Sequence, residues 1–273
     1  MDVASLYRAF AHLDVWVQGI MFAMARMTGM FVVMPAFTRL GLTGILQSAA
    51  VLAFALPVTP LVVSAVGAQT LSVPLITALV VKEAFVGLMI GVVLGVPIWA
   101  AEAAGSYVDL QRGATSATLF DPSSSGEEGV TATLFGLVMT ALFFGSGGLT
   151  LTLRTVYESY GIWPVGSAFP AMTAQSGEFF VHLLDGIATM GLVLVSPIVI
   201  LMLLTDILLG LVSKAAPQIN VFALSLNVKN LVFAVLLVLY GAFMLAYMSN
   251  DLALLLRLGS DLKGLVPSPA SPP

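Results

Sequence analysis

The chain has 273 residues, 59% of them hydrophobic and 9% charged, with a mean hydropathy of +1.05 and a net charge of −4. Soluble domains carry about 25% charged residues, so so much apolar surface must face lipid or other apolar helices. No basic footprint for nucleic acid exists, and the absence of cysteine excludes disulfides, thiolate chemistry and cysteine-type zinc sites.

A helical span takes about 20 apolar residues to cross about 30 Å of hydrocarbon. Reading between charges gives six such runs. The first lies between Asp14 and Arg39, holds Arg26 near its middle, and reads as an uncleaved span rather than a signal peptide, since no basic segment precedes it. The second covers residues 45–66 and contains Pro57 and Pro60; the third covers 84–101, between Lys82-Glu83 and Glu102. The fourth covers 130–153 and is interrupted by Gly145-Ser146-Gly147-Gly148. The fifth covers 186–205, between Asp185 and Asp206, and the sixth 231–248. Long unbroken runs favour helices over a barrel, whose strands alternate over about 10 residues. The expected fold is all-α: polytopic helical hairpins of about six long apolar helices, some kinked. Residues 1–266 read as a single domain without internal repeats, and 267–273 as a disordered Pro-rich tail.

Basic residues do not set the orientation. The N-terminus and even loops hold Arg8, Arg154, Arg257 and Lys263, against Arg39, Arg112, Lys214 and Lys229 in the odd loops. Such a tie hints that these helices do not all sit in lipid like ordinary spans.

Arg26 is the sharpest anomaly, because an arginine at mid-span costs roughly 2.5–3.5 kcal/mol on insertion scales. It requires an ion pair inside the bundle, a watery transport path, or a neighbouring subunit. Asp185 and Asp206 are 21 residues apart, about 31 Å along a helix, which suits two boundary residues better than a proton relay. Gly87, Gly91 and Gly95 repeat every four residues, the spacing that lets two helix backbones approach closely; Pro97 follows as a candidate kink.

Residues 104–129, "AGSYVDLQRGATSATLFDPSSSGEEG", break the apolar pattern. Glu102, Ser106, Asp109 and Arg112 recur at helical spacing as a polar stripe, with Asp109 and Arg112 placed as an i,i+3 pair. After Gly113 the helix signals fade, and Asp121-Pro122 marks a turn. A polar stripe leading into a pliable loop suits a gate lining a lumen; the plainer reading is a connecting loop. Phosphate-binding, nucleophile-elbow and metalloprotease motifs are all missing, so neither an enzyme nor a cofactor is expected. A secondary transporter of a small solute is the rival reading, but Arg26 finds no counterpart in the second half.

An ordered set of motifs carries a resemblance. "ARMTGMFVVMPAF" (25–37), "VKEAFVGLMIG" (81–91), "AGSYVDLQRG" (104–113), "FDP" (120–122), "ESYGIWPVG" (158–166) and "APQINVFAL" (216–224) together resemble the type III secretion export-apparatus family, called SctT in injectisomes and FliR in flagella. The "VDLQRG" and "SYGIWPV" forms look more like the injectisome branch. The resemblance implies a structural and gating subunit of a channel that passes unfolded proteins across the bacterial inner membrane. It implies assembly with SctR-like and SctS-like small membrane proteins, and proximity to an SctU-like switch protein and an SctV-like export gate. Much of that complex is expected above the bilayer plane, with energy supplied by an export ATPase and the proton-motive force. It further implies that residues 113–125 form a plug, with Gly113, Ser116, Leu119, Phe120, Asp121 and Pro122 as its residues. Flagellar members carry aromatic residues in the plug where this chain has smaller ones such as Ser116.

Overall fold

The structure, a computed structural model, describes residues 3–67, 71–113, 129–167, 174–218 and 220–261. Among these, all regular structure is helical. Nine α-helices follow in order: α1 Val3–Val33, α2 Pro35–Arg39, α3 Gly44–Ala55, α4 Thr59–Val66, α5 Val73–Arg112, α6 Val130–Gly145, α7 Gly148–Ile162, α8 Ala174–Ala215 and α9 Val221–Asp261. Five apolar helical stretches are long enough to cross a membrane, and α6 with α7 makes a sixth if the pair counts as one broken span. The Pro-rich tail at 267–273 lies outside the described residues.

The breaks have local causes. Pro35 pushes Met34 into the extended region (ψ 115°), which ends α1 and lets the proline open α2 at a position needing no N–H. Pro57 sits in a 3-10 turn, Leu56–Val58, and Pro60 in the first turn of α4, positions where a missing N–H costs no interior helix hydrogen bond. Gly147, at φ +88°, separates α6 from α7 in a conformation that other residues resist.

Three helices are much longer than their apolar runs suggested. α5 has 40 residues, α8 has 42 and α9 has 41. Lys82, Glu83 and Glu102 lie inside α5, and Asp185 and Asp206 inside α8, instead of marking helix ends. Pro97 and Pro197 are likewise accommodated within continuous helices.

The described residues divide into two compact units: those within 3–95, 146–177 and 255–261, and those within 96–145 and 178–254. In the first unit α1 supplies much of the core, with Phe22, Met27, Met30 and Phe31 fully buried. Phe31 stacks on Phe37 at 4.0 Å between ring centres, and the Tyr157 hydroxyl donates to the Phe54 carbonyl at 2.8 Å. Glycines bring α1 and α5 into backbone contact. A Cβ at Gly87 would overlap the Arg26 carbonyl, one at Gly29 would overlap the Ala84 carbonyl, and one at Gly91 would lie 2.8 Å from the Met30 carbonyl. Gly95 is also buried. In the second unit Gly105 of α5 meets the first turn of α6, and Gly191 of α8 meets Ala100 of α5.

Candidate functional site

Two polar clusters interrupt these apolar packings, one in each unit. The first surrounds Arg26, two turns before the end of α1. The guanidinium is 0% exposed, as is Glu83 on α5. A charge so buried must be neutralised and its donors filled. Arg26 Nε donates to Glu83 Oε2 at 2.7 Å, and Nη2 lies 2.6 Å from the same oxygen. Its Nη1 donates to Ser159 Oγ and its Nη2 to the Trp163 carbonyl, both at 2.8 Å. The Tyr160 ring covers the guanidinium face at 3.7 Å, a cation–π contact.

Lys82 completes the cluster. Its ammonium is 2.9 Å from Glu83 Oε1 and donates to the carbonyls of Pro164, Val165 and Ser167 at 3.0, 2.7 and 3.2 Å. Two cations and one carboxylate leave an excess positive charge among Arg26, Lys82 and Glu83. Carbonyl oxygens at the C-terminal end of α7 and in the turn after it, where the helix dipole is negative, balance that excess. The "ESYGIWPVG" segment is therefore folded around two buried cations.

The second cluster stands where α5 ends. Asp109 is 2% exposed. Its Oδ2 accepts from the backbone N–H groups of Thr131 at 3.0 Å and Ala132 at 3.2 Å, and its Oδ1 accepts from Arg112 Nη2 at 2.8 Å. It caps α6 from another helix, filling two of the amides that a helix start leaves open. The Arg112 guanidinium covers the Phe233 ring of α9 at 4.5 Å. One residue away, Lys229 Nζ donates to the Gln111 carbonyl at 3.0 Å and lies 2.7 Å from Asp206 Oδ1, while Gln111 Nε2 donates to Asp206 Oδ2 at 3.2 Å. A cation thus meets the carbonyl end of α5, where the dipole favours it. Gly113, at φ +74°, closes the helix with its N–H on the Leu110 carbonyl at 3.0 Å.

Among the polar-stripe residues, Asp109 and Arg112 are joined in this cap, Ser106 is exposed and Glu102 half-buried. Of the plug residues Gly113 is described, whereas Ser116, Leu119, Phe120, Asp121 and Pro122 lie outside the described residues. Sequence reasoning missed the partners. Lys82 and Glu83 read as the edge of a span, and Asp206 and Lys229 as unrelated flanks. Each carried a signal all the same: a charge next to an apolar run in a chain with few charges.

Long apolar helices, small-residue contacts and buried ion pairs define a polytopic helical membrane protein whose charges brace helices and loop ends. The sequence matches the family described as "Bacterial export proteins, family 1" over residues 17–255. The chain belongs to that family. It is 35% identical to Yop proteins translocation protein T of Yersinia pestis over 85% of this chain and 88% of that protein. It is 32% identical to Surface presentation of antigens protein SpaR of Salmonella typhimurium over 79% and 80%. It is more distant from the Flagellar biosynthetic protein FliR of Bacillus subtilis, at 26% over 68% and 72%. The injectisome branch of the family is favoured over the flagellar one.

Proposed function

We propose that this chain is a structural and gating subunit of a type III secretion export channel in the bacterial inner membrane. A role in protein export and a multi-pass place in the secretion machinery follow from its family. The finer reading rests chiefly on the match over residues 17–255, with relatives covering most of the chain. Its partners are SctR-like and SctS-like membrane proteins, with SctU-like and SctV-like components nearby, and its passengers are unfolded proteins. The segment at residues 113–125, inside the stretch from Gly113 to Gly129, is the plug. Anchoring at both ends of that stretch supports the assignment, since a gate must move between fixed points while the helices around it hold.

The test is deletion of residues 115–119 in the assembled complex. Ion leakage should rise while the complex still forms; unchanged permeability with intact assembly removes the plug role. A lone chain that takes up a small solute in liposomes would favour the transporter instead.

A further inference from the structure

We propose that Asp109 is the positioning residue that ties the two ends of the 114–128 segment together. The inference rests on the gating reading for its consequence, and on the second unit's geometry for its substance. One carboxylate serves both ends. Through Oδ1 it holds Arg112, the last residue of α5, and through Oδ2 it holds the N–H groups of Thr131 and Ala132 in the first turn of α6. Those residues are 22 and 23 positions away in sequence. The site is shaped for that carboxylate. A Cβ at Gly129 would overlap Asp109 Oδ2, so only glycine lets the chain pass the acid side chain there. Four residues before Asp109, one helical turn, Gly105 lets the Ala132 backbone come equally close. Arg112 is held in turn by the Phe233 ring. Both ends of the segment therefore stay at one place on α5 whatever the segment between them does. Without the tie, the start of α6 and the end of α5 are free to separate.

A disulfide can replace the tie. The chain has no cysteine of its own, and a Cβ at 129 would stand 3.1 Å from Asp109 Cβ. Disulfides need about 3.5–4.5 Å, a shift of a few tenths of an ångström. Complexes carrying Asp109→Cys with Gly129→Cys, reconstituted in liposomes, should form the disulfide on mild oxidation. Ion leakage should be near the unsubstituted level when oxidised and rise several-fold on reduction. In Asp109→Ala, the Thr131 and Ala132 amides should exchange about five- to tenfold faster, the size of a lost helix cap.

Failure of the disulfide to form in an assembled complex overturns the proposal, as does equal leakage in the two redox states when deletion of 115–119 does leak. If that deletion is silent, the gating reading falls, and amide exchange decides the tie: unchanged protection of Thr131 and Ala132 in Asp109→Ala ends it.

Discussion

Removing the Arg26 charge leaves Glu83 inside an apolar bundle with Lys82 as its remaining cation, while Lys82 is shared among three carbonyls. Breaking one partner out of a buried pair costs about 3–5 kcal/mol, whereas replacing both with apolar groups is often near neutral. Arg26→Leu and Glu83→Leu should each lower the thermal stability of the purified chain and the yield of assembled complex. The double replacement should recover part of the Glu83→Leu loss, because it leaves one buried cation without a counter-charge instead of two, but should not improve on Arg26→Leu, which leaves Lys82 and Glu83 paired. Glu83→Gln separates charge from hydrogen bonding: it keeps an acceptor for Arg26 but leaves two buried cations without a counter-charge. It should resemble Glu83→Leu in severity. A Glu83→Gln chain as stable as the unsubstituted one would mean that hydrogen bonds alone carry the cluster. Trp163, Pro164, Val165 and Ser167 give their carbonyls to these cations, so proteolysis in the 163–167 turn should accelerate in the same variants.

At the scale of elements, glycines decide where helices touch. Gly87 lies on α5 against the Arg26 carbonyl of α1, and an added methyl there must push two backbones apart. Gly87→Ala should cost about 1–3 kcal/mol, the usual range for overpacking, and lower the melting temperature of the chain in detergent. Gly210 on α8 and Gly241 on α9 have open space around the added carbon. Their replacement by alanine should be neutral, or stabilising by up to about 1 kcal/mol through helix propensity. Equal responses at all three positions would refute the close crossing of α1 and α5. The existence of these helices was legible in the sequence, because apolar runs of span length admit little else. Their ends were not. Reading boundaries at charged residues fails where a charge is buried with a partner, and the partner of Arg26 is 57 positions away. The Asp109–Arg112 pair was legible as i,i+3 spacing. The cap on Thr131 and Ala132 was not, because backbone amides carry no mark in a sequence and these two lie 22 and 23 positions from Asp109. The glycines at 87 and 91 announced a close contact by their spacing without saying which helix they meet.

At the scale of the whole molecule, helix length conflicts with membrane thickness. The helical stretch Val181–Ala215 of α8 has 35 residues, with Asp185, Asp206 and Lys214 among them, about 50 Å at 1.5 Å per residue. Fitting that inside about 30 Å of hydrocarbon demands a tilt of roughly 55°, beyond the 0–40° that spanning helices show. The part beyond Asp185 or Asp206 therefore extends past the hydrocarbon, and exposed apolar side chains there, such as Ile207, Leu208 and Leu211, need cover other than lipid tails. The chain itself provides little cover: 28% of that stretch's most apolar window is buried, and 17% for Leu224–Asn250 of α9. Sister subunits of the export complex are the cover proposed above, which also accounts for basic residues too evenly spread to orient a simple span. Single cysteines make this measurable, since the chain has none. Leu203→Cys on α8 and Val238→Cys on α9 place a thiol at side chains left 49% and 82% exposed. In the purified chain in detergent, both thiols should react readily with a small maleimide. In a complex with the proposed SctR-like and SctS-like proteins, reaction should slow at least tenfold. Reaction at the same rate in both preparations would mean that neither face meets a subunit, and the excess length of α8 would have to be absorbed by the bilayer or by a bend in the helix.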